Sequence, residues 1–221
     1  MHDQTLGLTR YALGLRSRLL SLGLNLGLNL GLSLGVSAML SASASAAASF
    51  APRLDVVEEG VAHELTFTGE DKRQFLLFSV YSIAHYAELP AAGDASPTTK
   101  IVSDGPAKAI SIRFSRKLSR DLVRHELRKT LQRNAESQWL VDAKDTIEGF
   151  IEAIDRGTVA GDRLTYFWLP GGRLIAEFND ERFYTVEDLA FAKLIWSIWF
   201  GANPVCDTAK LLAELPTPVG S

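Results

Sequence analysis

The stretch Arg163-Leu-Thr-Tyr-Phe-Trp-Leu169, Pro170-Gly171-Gly172, Arg173-Leu-Ile-Ala-Glu-Phe178 carries the clearest fold signal of the 221-residue sequence. Two runs rich in aromatic and branched residues flank a turn made of one proline and two glycines. Branched and aromatic side chains favour strands, and glycine adopts the positive φ that tight turns require. The stretch therefore predicts an antiparallel β-hairpin.

Three segments before this hairpin also predict strands. His63–Gly69 alternates polar and apolar residues and ends at a glycine, where we expect the chain to turn. Phe75–Tyr86 is rich in aromatic and branched residues and predicts one long strand. Ala107–Phe114 predicts a further strand because its apolar residues alternate.

One helix is predicted from a cap and an apolar stripe. Ser119 is a typical N-cap residue, and Leu122, Val123, Leu127 and Leu131 follow it at helical spacing. We expect this stripe to face the core and the charged residues between its members to face solvent.

Three more helices are predicted later in the chain. The first covers Asp145–Ile154, the second runs from a capping box at Thr185 and Asp188 to Gly201, and the third follows a cap at Asp207. Strands, helices, a hairpin and helices again predict an α+β fold, an antiparallel sheet backed by helices.

The first 48 residues differ in composition from the rest and hold only four charged side chains, among them Arg10, Arg16 and Arg18. These arginines precede an uncharged stretch with repeated Leu-Gly-Leu units and then a run of small residues. This order is typical of a secretory signal peptide. We expect residues 1–48 to be a signal peptide, cleaved between 44 and 49, and residues 49–221 to form one periplasmic or secreted domain.

Two other interpretations of residues 1–48 stay open. A retained transmembrane anchor is opposed by the regular glycines and by the Asn and Ser residues within the apolar stretch. An extension from a misassigned start is the other, since the segment is longer than most signal peptides. After cleavage, we expect no membrane anchor.

Residues 49–221 hold 20 basic and 25 acidic side chains, a balance that argues against nucleic-acid binding.

Few residues form a catalytic or metal-binding pattern. The sequence has no nucleophile elbow, phosphate-binding glycine loop or paired-histidine zinc motif. The single cysteine, Cys206, cannot form an internal disulfide. His63, His85 and His125 are far apart and lack metal-ligand spacing. We therefore expect neither a metal nor a cofactor.

Arg73 is the best candidate for a binding residue. Strand alternation places Arg73, Ser79 and Tyr81 on one face beside apolar residues. An arginine in such a row is able to hold the carboxylate or enolate of an apolar ligand. The alternative is a surface arginine at a strand end. On one straight strand Arg73 and Tyr81 would lie roughly 26 Å apart, so Tyr81 is expected to line the tail end of the ligand.

The order of these pieces resembles the chalcone isomerase-like family, specifically its bacterial secreted branch. The resemblance implies an open-faced sandwich with an apolar cleft between sheet and helices. Four segments carry it: the Gly69 turn and Arg73 leading into Phe-Ser-Val-Tyr81 and Ala-His-Tyr86; Ala-Ile-Ser-Ile-Arg113-Phe with the Ser119 helix; Gly161-Asp162 through Pro170-Gly171-Gly172; and Phe191 through Gly201-Ala-Asn-Pro204-Val205.

The family implies roles for individual residues. Its members are isomerases that close a chalcone to a flavanone, or non-catalytic proteins that bind fatty acids, and both hold an anionic oxygen with an arginine near the position of Arg73. Arg113 falls near the isomerases' lysine, whereas Leu122 falls near their catalytic tyrosine and Tyr81 replaces a threonine. A lone arginine lacks the aligned donors that an enolate needs. The resemblance thus implies a ligand-binding set rather than a catalytic one: Arg73, Ser79, Tyr81, Tyr86 and Arg113.

Three functions remain open from the sequence. The first is a periplasmic binder of a fatty acid or similar amphipathic carboxylate, with Arg73 at the mouth of an apolar cleft. The second is an isomerase, an intramolecular lyase, for a chalcone-like polyphenol. The third is a structural or interaction protein whose cleft is filled, with Arg73 paired to Glu70 or Asp71. The residues predict no oligomeric state.

Overall fold

The computed structural model describes residues 50–75, 78–89 and 101–215. All of them belong to one compact unit, Ala46–Ser221. The predicted signal peptide, residues 1–48, lies outside the described residues and stays a prediction.

The described residues form a seven-stranded sheet in which each strand pairs antiparallel with the next along the chain. The chain therefore makes a simple meander, as the predicted α+β class requires. The strands are β1 (Arg53–Glu58), β2 (Val61–Phe75), β3 (Phe78–Ala87), β4 (Lys108–Phe114), β5 (Arg163–Leu169), β6 (Arg173–Phe178) and β7 (Glu181–Glu187).

In the described part of the chain, five α-helices are inserted between the strands or follow them. Three lie between β4 and β5, and two follow β7. They are α1 (Arg120–Asn134), α2 (Ser137–Asp142), α3 (Lys144–Ala153), α4 (Leu189–Phe200) and α5 (Thr208–Leu211). No helix in the described part of the chain is long and apolar enough to cross a membrane.

The hairpin and several helix caps are confirmed. Strands β5 and β6 have the predicted bounds and pair across Pro170–Gly172. The Ser119 hydroxyl accepts the Leu122 N–H at 3.3 Å, and Asp207 caps α5. Helix α4 ends at Gly201, as predicted.

The predicted long strand Phe75–Tyr86 is right only from Phe78 onward, because Phe78–Tyr86 lies in β3 whereas Phe75 belongs to β2. The chain instead forms two antiparallel strands, with Phe75 of β2 paired to Phe78 of β3. Leu76 and Leu77, between the two strands, are apolar, and no glycine or proline stands beside them, so the sequence shows no sign of a turn there.

Gly69 does not turn the chain either, because β2 continues through it with a bulge. Its φ is +150°, and a Cβ there would lie 2.0 Å from the Lys210 carbonyl oxygen. Glycine is needed at this point because the segment of α5 approaches the strand so closely.

The predicted capping box of α4 is half right. Thr185 belongs to β7, and Asp188 alone caps the helix, accepting the Phe191 N–H at 2.9 Å. The second oxygen of Asp188 accepts the Thr146 hydroxyl at 2.6 Å, which ties α3 to the start of α4. Strands β1 and β7 and helix α2 were not predicted.

The two faces of the sheet carry separate cores. The larger core lies on the face that the helices cover and includes Ile110, Trp168 and Trp196, all at most 1% exposed. The smaller core lies on the opposite face and includes Leu65 and Tyr86. Side chains alternate along each strand, so the parity of a residue decides which face it joins.

Candidate functional site

A cavity of about 1080 Å³ lies between α1 and the helix-covered face of the sheet. Its floor includes Ile112 and Phe114 of β4 and Leu164 of β5. Leu122 and Leu127 of α1 line it from above. Its volume is at the upper end of the range of small-molecule sites.

Helix α1 covers this space without filling it. Of its fifteen residues only Leu131 and Asn134 are buried. Three residues of the predicted core stripe, Leu122, Val123 and Leu127, line the cavity, and Leu122 is 44% exposed. The fourth, Leu131, is buried in the core. Correct periodicity therefore identified the inward face of α1, although most of that face meets a cavity rather than packed side chains.

Polar contacts hold α1 at its margins. The Arg124 Nε donates to the Ile154 carbonyl at 2.9 Å, which joins α1 to the end of α3. The Asn134 side-chain oxygen accepts the Asn203 N–H at 2.9 Å, which joins its last turn to the segment after α4. These contacts hold α1 in place as the roof of the cavity, above the space that separates its centre from the sheet.

Arg73 and Tyr81 are direct partners across β2 and β3, and both line the cavity. Side chains of opposed residues in an antiparallel pair share one face and lie close together. The expected separation of roughly 26 Å along one strand is therefore wrong. The hairpin brings a guanidinium and a phenol to the same end of the cavity.

The half-buried Arg73 is not neutralised by a carboxylate within the described residues. Its Nη1 donates to the Val205 carbonyl at 3.0 Å. Asp71, a partner proposed for Arg73 from the sequence, instead accepts the Asp207 N–H at 2.8 Å and pairs with Lys210 at 3.3 Å. These hydrogen bonds lower the pKa of Asp71 although burial alone would raise it.

Tyr81 is held as a neutral phenol. Burial raises its pKa to about 12, and the nearby Cys206 adds to this rise, while Arg73 opposes it. Its ring meets Phe114 edge to face with centroids 6.3 Å apart. The hydroxyl therefore keeps its proton at physiological pH and is able to donate a hydrogen bond.

Cys206 lies beside this pair as an unreactive thiol. Burial, with smaller contributions from Asp71 and Asp207, raises its pKa to about 12. A thiol is a good nucleophile only when it loses its proton. The environment of Cys206 therefore opposes a catalytic role.

Two aromatic residues at this end of the cavity were not predicted as site residues. Tyr166 of β5 and Trp199 of α4 line the cavity, and their ring centroids lie 5.9 Å apart. Burial raises the pKa of Tyr166, so it too stays a neutral phenol. Nothing in their sequence spacing distinguishes them from core residues such as Trp168.

The structure does not bring Arg113 and Tyr86 to the cavity. The Arg113 guanidinium lies over the Phe50 ring at 5.1 Å, and the Tyr86 hydroxyl donates to the Ala51 carbonyl at 3.0 Å. Both residues belong to the opposite face of the sheet, because they alternate with residues that line the cavity. Ser79 lies in β3, but its side chain is outside the described part of the structure.

Acidic, histidine and cysteine side chains do not cluster in a way that suits a metal ion. Within residues 50–75, 78–89 and 101–215, no group of three or more is close enough to hold one. The site therefore consists of a largely apolar cavity with Arg73 and two phenols, Tyr81 and Tyr166, at the β2–β3 end. Six more cations line the cavity: Arg116, Lys117, Lys129, Arg133, Arg156 and Arg182.

Comparison with known proteins gives two findings. A family model described as chalcone isomerase-like matches residues 45–214. A crystal structure of a fatty-acid binding protein from Arabidopsis thaliana matches with a TM-score of 0.52 and 15% sequence identity, over 72% of this chain and 96% of that chain. At this identity the structural match shows a shared fold alone. No curated protein matches.

Proposed function

This chain belongs to the chalcone isomerase-like family, and from that premise we propose that it binds a fatty acid or a similar amphipathic carboxylate without converting it. The observation that carries the proposal is the position of Arg73. A guanidinium that lacks a carboxylate partner among the described residues lines an apolar cavity opposite the phenol of Tyr81.

The head group of the ligand is a carboxylate in this proposal. An arginine offers five N–H donors in a planar fork. Only one bond of Arg73, to the Val205 carbonyl, is used among the described residues. A carboxylate would accept from the remaining donors and from the Tyr81 hydroxyl in charge-assisted hydrogen bonds. It would also neutralise a half-buried cation.

The acyl tail lies along the floor of the cavity between Phe114 and the α1 stripe. Each buried methylene contributes about 0.8 kcal/mol, so a tail of several carbons supplies most of the affinity. The cavity extends across the strands of the sheet, from β2 and β3 to Phe178 of β6 and Phe183 of β7. Neighbouring strands are about 4.8 Å apart, which leaves room for a long chain.

The position of Arg113 supports binding rather than isomerase chemistry. Arg113 aligns near the lysine that assists at the ketone in the isomerases of the family, yet its guanidinium lies over Phe50 on the other face of the sheet. Leu122, at the position of their catalytic tyrosine, provides no polar group. An enolate in this cavity would lack the donors that those two positions supply in the isomerases.

We also propose that the protein is exported, as in a bacterial secreted branch of the family, after removal of residues 1–48. The support is the composition of the leader, with arginines before an apolar stretch and a small-residue exit. The intact mass of the expressed protein tests this removal. A protein that still carries residues 1–48 would contradict the proposed export.

Palmitate binding tests the proposed function, with a matched pair of variants. Isothermal titration of the delipidated protein is expected to show binding that Arg73→Gln weakens at least about tenfold, because a hydrogen bond to a charged group is worth about 1.5–3 kcal/mol. Lys117→Gln is the control, since Lys117 is an exposed cation that also lines the cavity. It is expected to change affinity less than threefold.

Two results would overturn the proposal. One is an unmodified protein that binds no saturated fatty acid between eight and eighteen carbons. The other is an Arg73→Gln variant that binds palmitate as tightly as the unmodified protein does.

A further inference from the structure

The lining of the cavity is positively charged, although the chain as a whole is acidic. Among the described residues, seven cations and three carboxylates line the cavity, an excess of four positive charges. The net charge of the chain is −3. A fatty acid carries one negative charge, which a single arginine is able to hold. The other cations therefore need another explanation.

The excess charge does not lie at the β6–β7 end of the cavity. There the Arg156 guanidinium lies over the Phe178 ring at 5.4 Å and pairs with Asp155 at 3.1 Å. Arg182 of β7 pairs with Glu58 at 2.7 Å. Carboxylates thus offset both cations. The remaining five cations share the cavity lining with one further carboxylate besides Asp155 and Glu181: Arg73, Arg116, Lys117, Lys129 and Arg133, with Glu126.

Two of these cations, both on α1, lie near Arg73. Arg133 donates to the Asn203 carbonyl at 3.4 Å, and Asn203 stands two residues before Val205, whose carbonyl accepts from Arg73. Lys129 precedes Arg133 by one helical turn, so the two residues lie on the same side of α1. The last turns of α1 therefore bring positive charge to the β2–β3 end.

Two more cations lie on the connection from β4 to α1. The Ser115 N–H donates to the Val80 carbonyl at 2.9 Å, and Val80 precedes Tyr81 in β3. Arg116 and Lys117 follow Ser115 directly, so they lie beside the same end of the cavity. We name the four cations of α1 and of this connection the basic rim: Arg116, Lys117, Lys129 and Arg133.

The cations of the basic rim are open to an external partner. All four are exposed. Lys117 makes no ion pair or hydrogen bond with another described residue. Lys129 approaches Glu126 only at 3.9 Å, and both side chains are more than half exposed, so this pair contributes little. Arg133 donates to a backbone carbonyl, which leaves its charge in place.

We propose that the basic rim docks the protein on an anionic lipid bilayer, with the β2–β3 end of the cavity toward the membrane. A cluster of exposed lysines and arginines is attracted to anionic lipid head groups. Leu122, which is 44% exposed beside the rim, offers an apolar side chain to the interface. The contact is reversible and needs no anchor.

The apolar cavity behind the rim favours a lipid surface over a nucleic acid or an acidic protein. An apolar chain of many methylenes resides in membranes rather than in water, because each methylene gains about fourfold in partition when it is buried. A protein that binds such a chain benefits from meeting the membrane with the open end of its cavity. The inference goes beyond the proposed function, since it concerns a surface outside the head-group position.

Vesicle flotation tests the docking. We expect the protein to bind vesicles of equal parts phosphatidylglycerol and phosphatidylcholine at least about tenfold more tightly than vesicles of phosphatidylcholine alone. This binding is expected to weaken as salt is added. The double variant Lys117→Gln/Lys129→Gln is expected to bind the anionic vesicles about tenfold more weakly or worse, because each cation near an anionic surface contributes about fivefold.

Lys144→Gln/Lys193→Gln is the matched control. It removes the same charge from two positions that do not line the cavity, and it is expected to weaken vesicle binding less than about threefold. All variants carry the same N-terminal residues, so the difference between them reports the cations alone. Equal losses in the two double variants would overturn the proposal, as would equal binding to anionic and neutral vesicles.

Palmitate titration of the unmodified protein separates this inference from the proposed function. A protein that binds palmitate but does not float with anionic vesicles would overturn the docking alone. A protein that floats with anionic vesicles through the basic rim but binds no fatty acid would overturn the proposed function alone.

Discussion

Helices α1 and α4 cover the same face of the sheet in opposite ways. Eight of the twelve residues of α4 are buried, but only two of the fifteen residues of α1 are. Helix α4 therefore builds the core, while α1 encloses a cavity from its margins. The difference teaches that amphipathic periodicity serves two purposes in this fold. Helix α4 mainly builds the core, although its Trp199 also lines the cavity, and α1 mainly encloses the cavity.

The largest expected effect separates the two helices by stability. Phe191→Ala in α4 removes a fully buried ring that meets Phe150 at 5.3 Å. We expect it to lower the free energy of unfolding by about 3–5 kcal/mol. Leu127→Ala in α1 is expected to cost about 1 kcal/mol, because the side chain already borders empty space. Urea denaturation measures both, and equal losses would contradict the comparison.

The next effect concerns the dependence of stability on pH, which we attribute to His85, a buried residue beside Phe200 of α4. His85 is fully buried, its Nδ1 lies 2.6 Å from the Thr68 hydroxyl oxygen, and its ring meets Phe200. Burial, with a smaller contribution from Lys108, lowers its pKa from 6.5 to about 3. Between these values the unfolded chain binds a proton that the folded chain does not. Stability therefore falls with decreasing pH, by up to about 1.4 kcal/mol per pH unit.

Denaturation between pH 6.5 and pH 4 tests this dependence. His85→Gln is expected to reduce the slope by about one proton in this range. His125→Asn is the control, since His125 is exposed on α1, and it is expected to keep the slope. A slope that His85→Gln leaves unchanged would show that the buried imidazole does not control acid stability.

The smallest expected effect concerns the roof of the cavity. Arg124 donates to the Ile154 and Glu152 carbonyls at 2.9 and 2.8 Å. Arg124→Ala is expected to cost about 1 kcal/mol and to speed amide exchange in α1 about fivefold, because local opening of the helix becomes easier. Exchange in α4 is expected to stay unchanged.

Hydrogen-exchange mass spectrometry measures this effect. Arg120→Ala is the matched variant, since Arg120 pairs only with its neighbour Asp121 among the described residues. It should leave exchange in α1 as it is. Faster exchange in both helices after Arg124→Ala would mean that α1 is part of the same cooperative unit as α4.

Local chemistry made part of the fold predictable. The hairpin of β5 and β6 has a turn sequence with few alternatives, and Ser119, Asp188 and Asp207 each offer an oxygen to a helix N-terminus. These signals act over a few residues, so the sequence contains them fully.

The site was less predictable because it depends on distant pairing. Arg73 lines the cavity, but its position opposite Tyr81 follows from the pairing of β2 with β3. The residues between these strands, Leu76 and Leu77, give no turn signal in the sequence. Arg113 was assigned to the site by resemblance. Its alternation with Ile112 and Phe114, which line the cavity, already indicated the other face. Periodicity identifies an inward face and does not reveal what fills the space behind it.

The connection from α4 to α5 fixes the position of the Arg73 guanidinium along the cavity. The Val205 carbonyl accepts from Arg73, and the Asp207 N–H donates to the Asp71 carboxylate, so the connection is attached to β2 at two points. The Thr68 hydroxyl donates to the Leu211 carbonyl and attaches α5 itself to β2. Inserting or deleting a residue between Gly201 and Asp207 would shift the cation along the cavity and leave the sheet unaltered. Evolution thus has a route to a new ligand length or head group that changes no residue of the cavity floor.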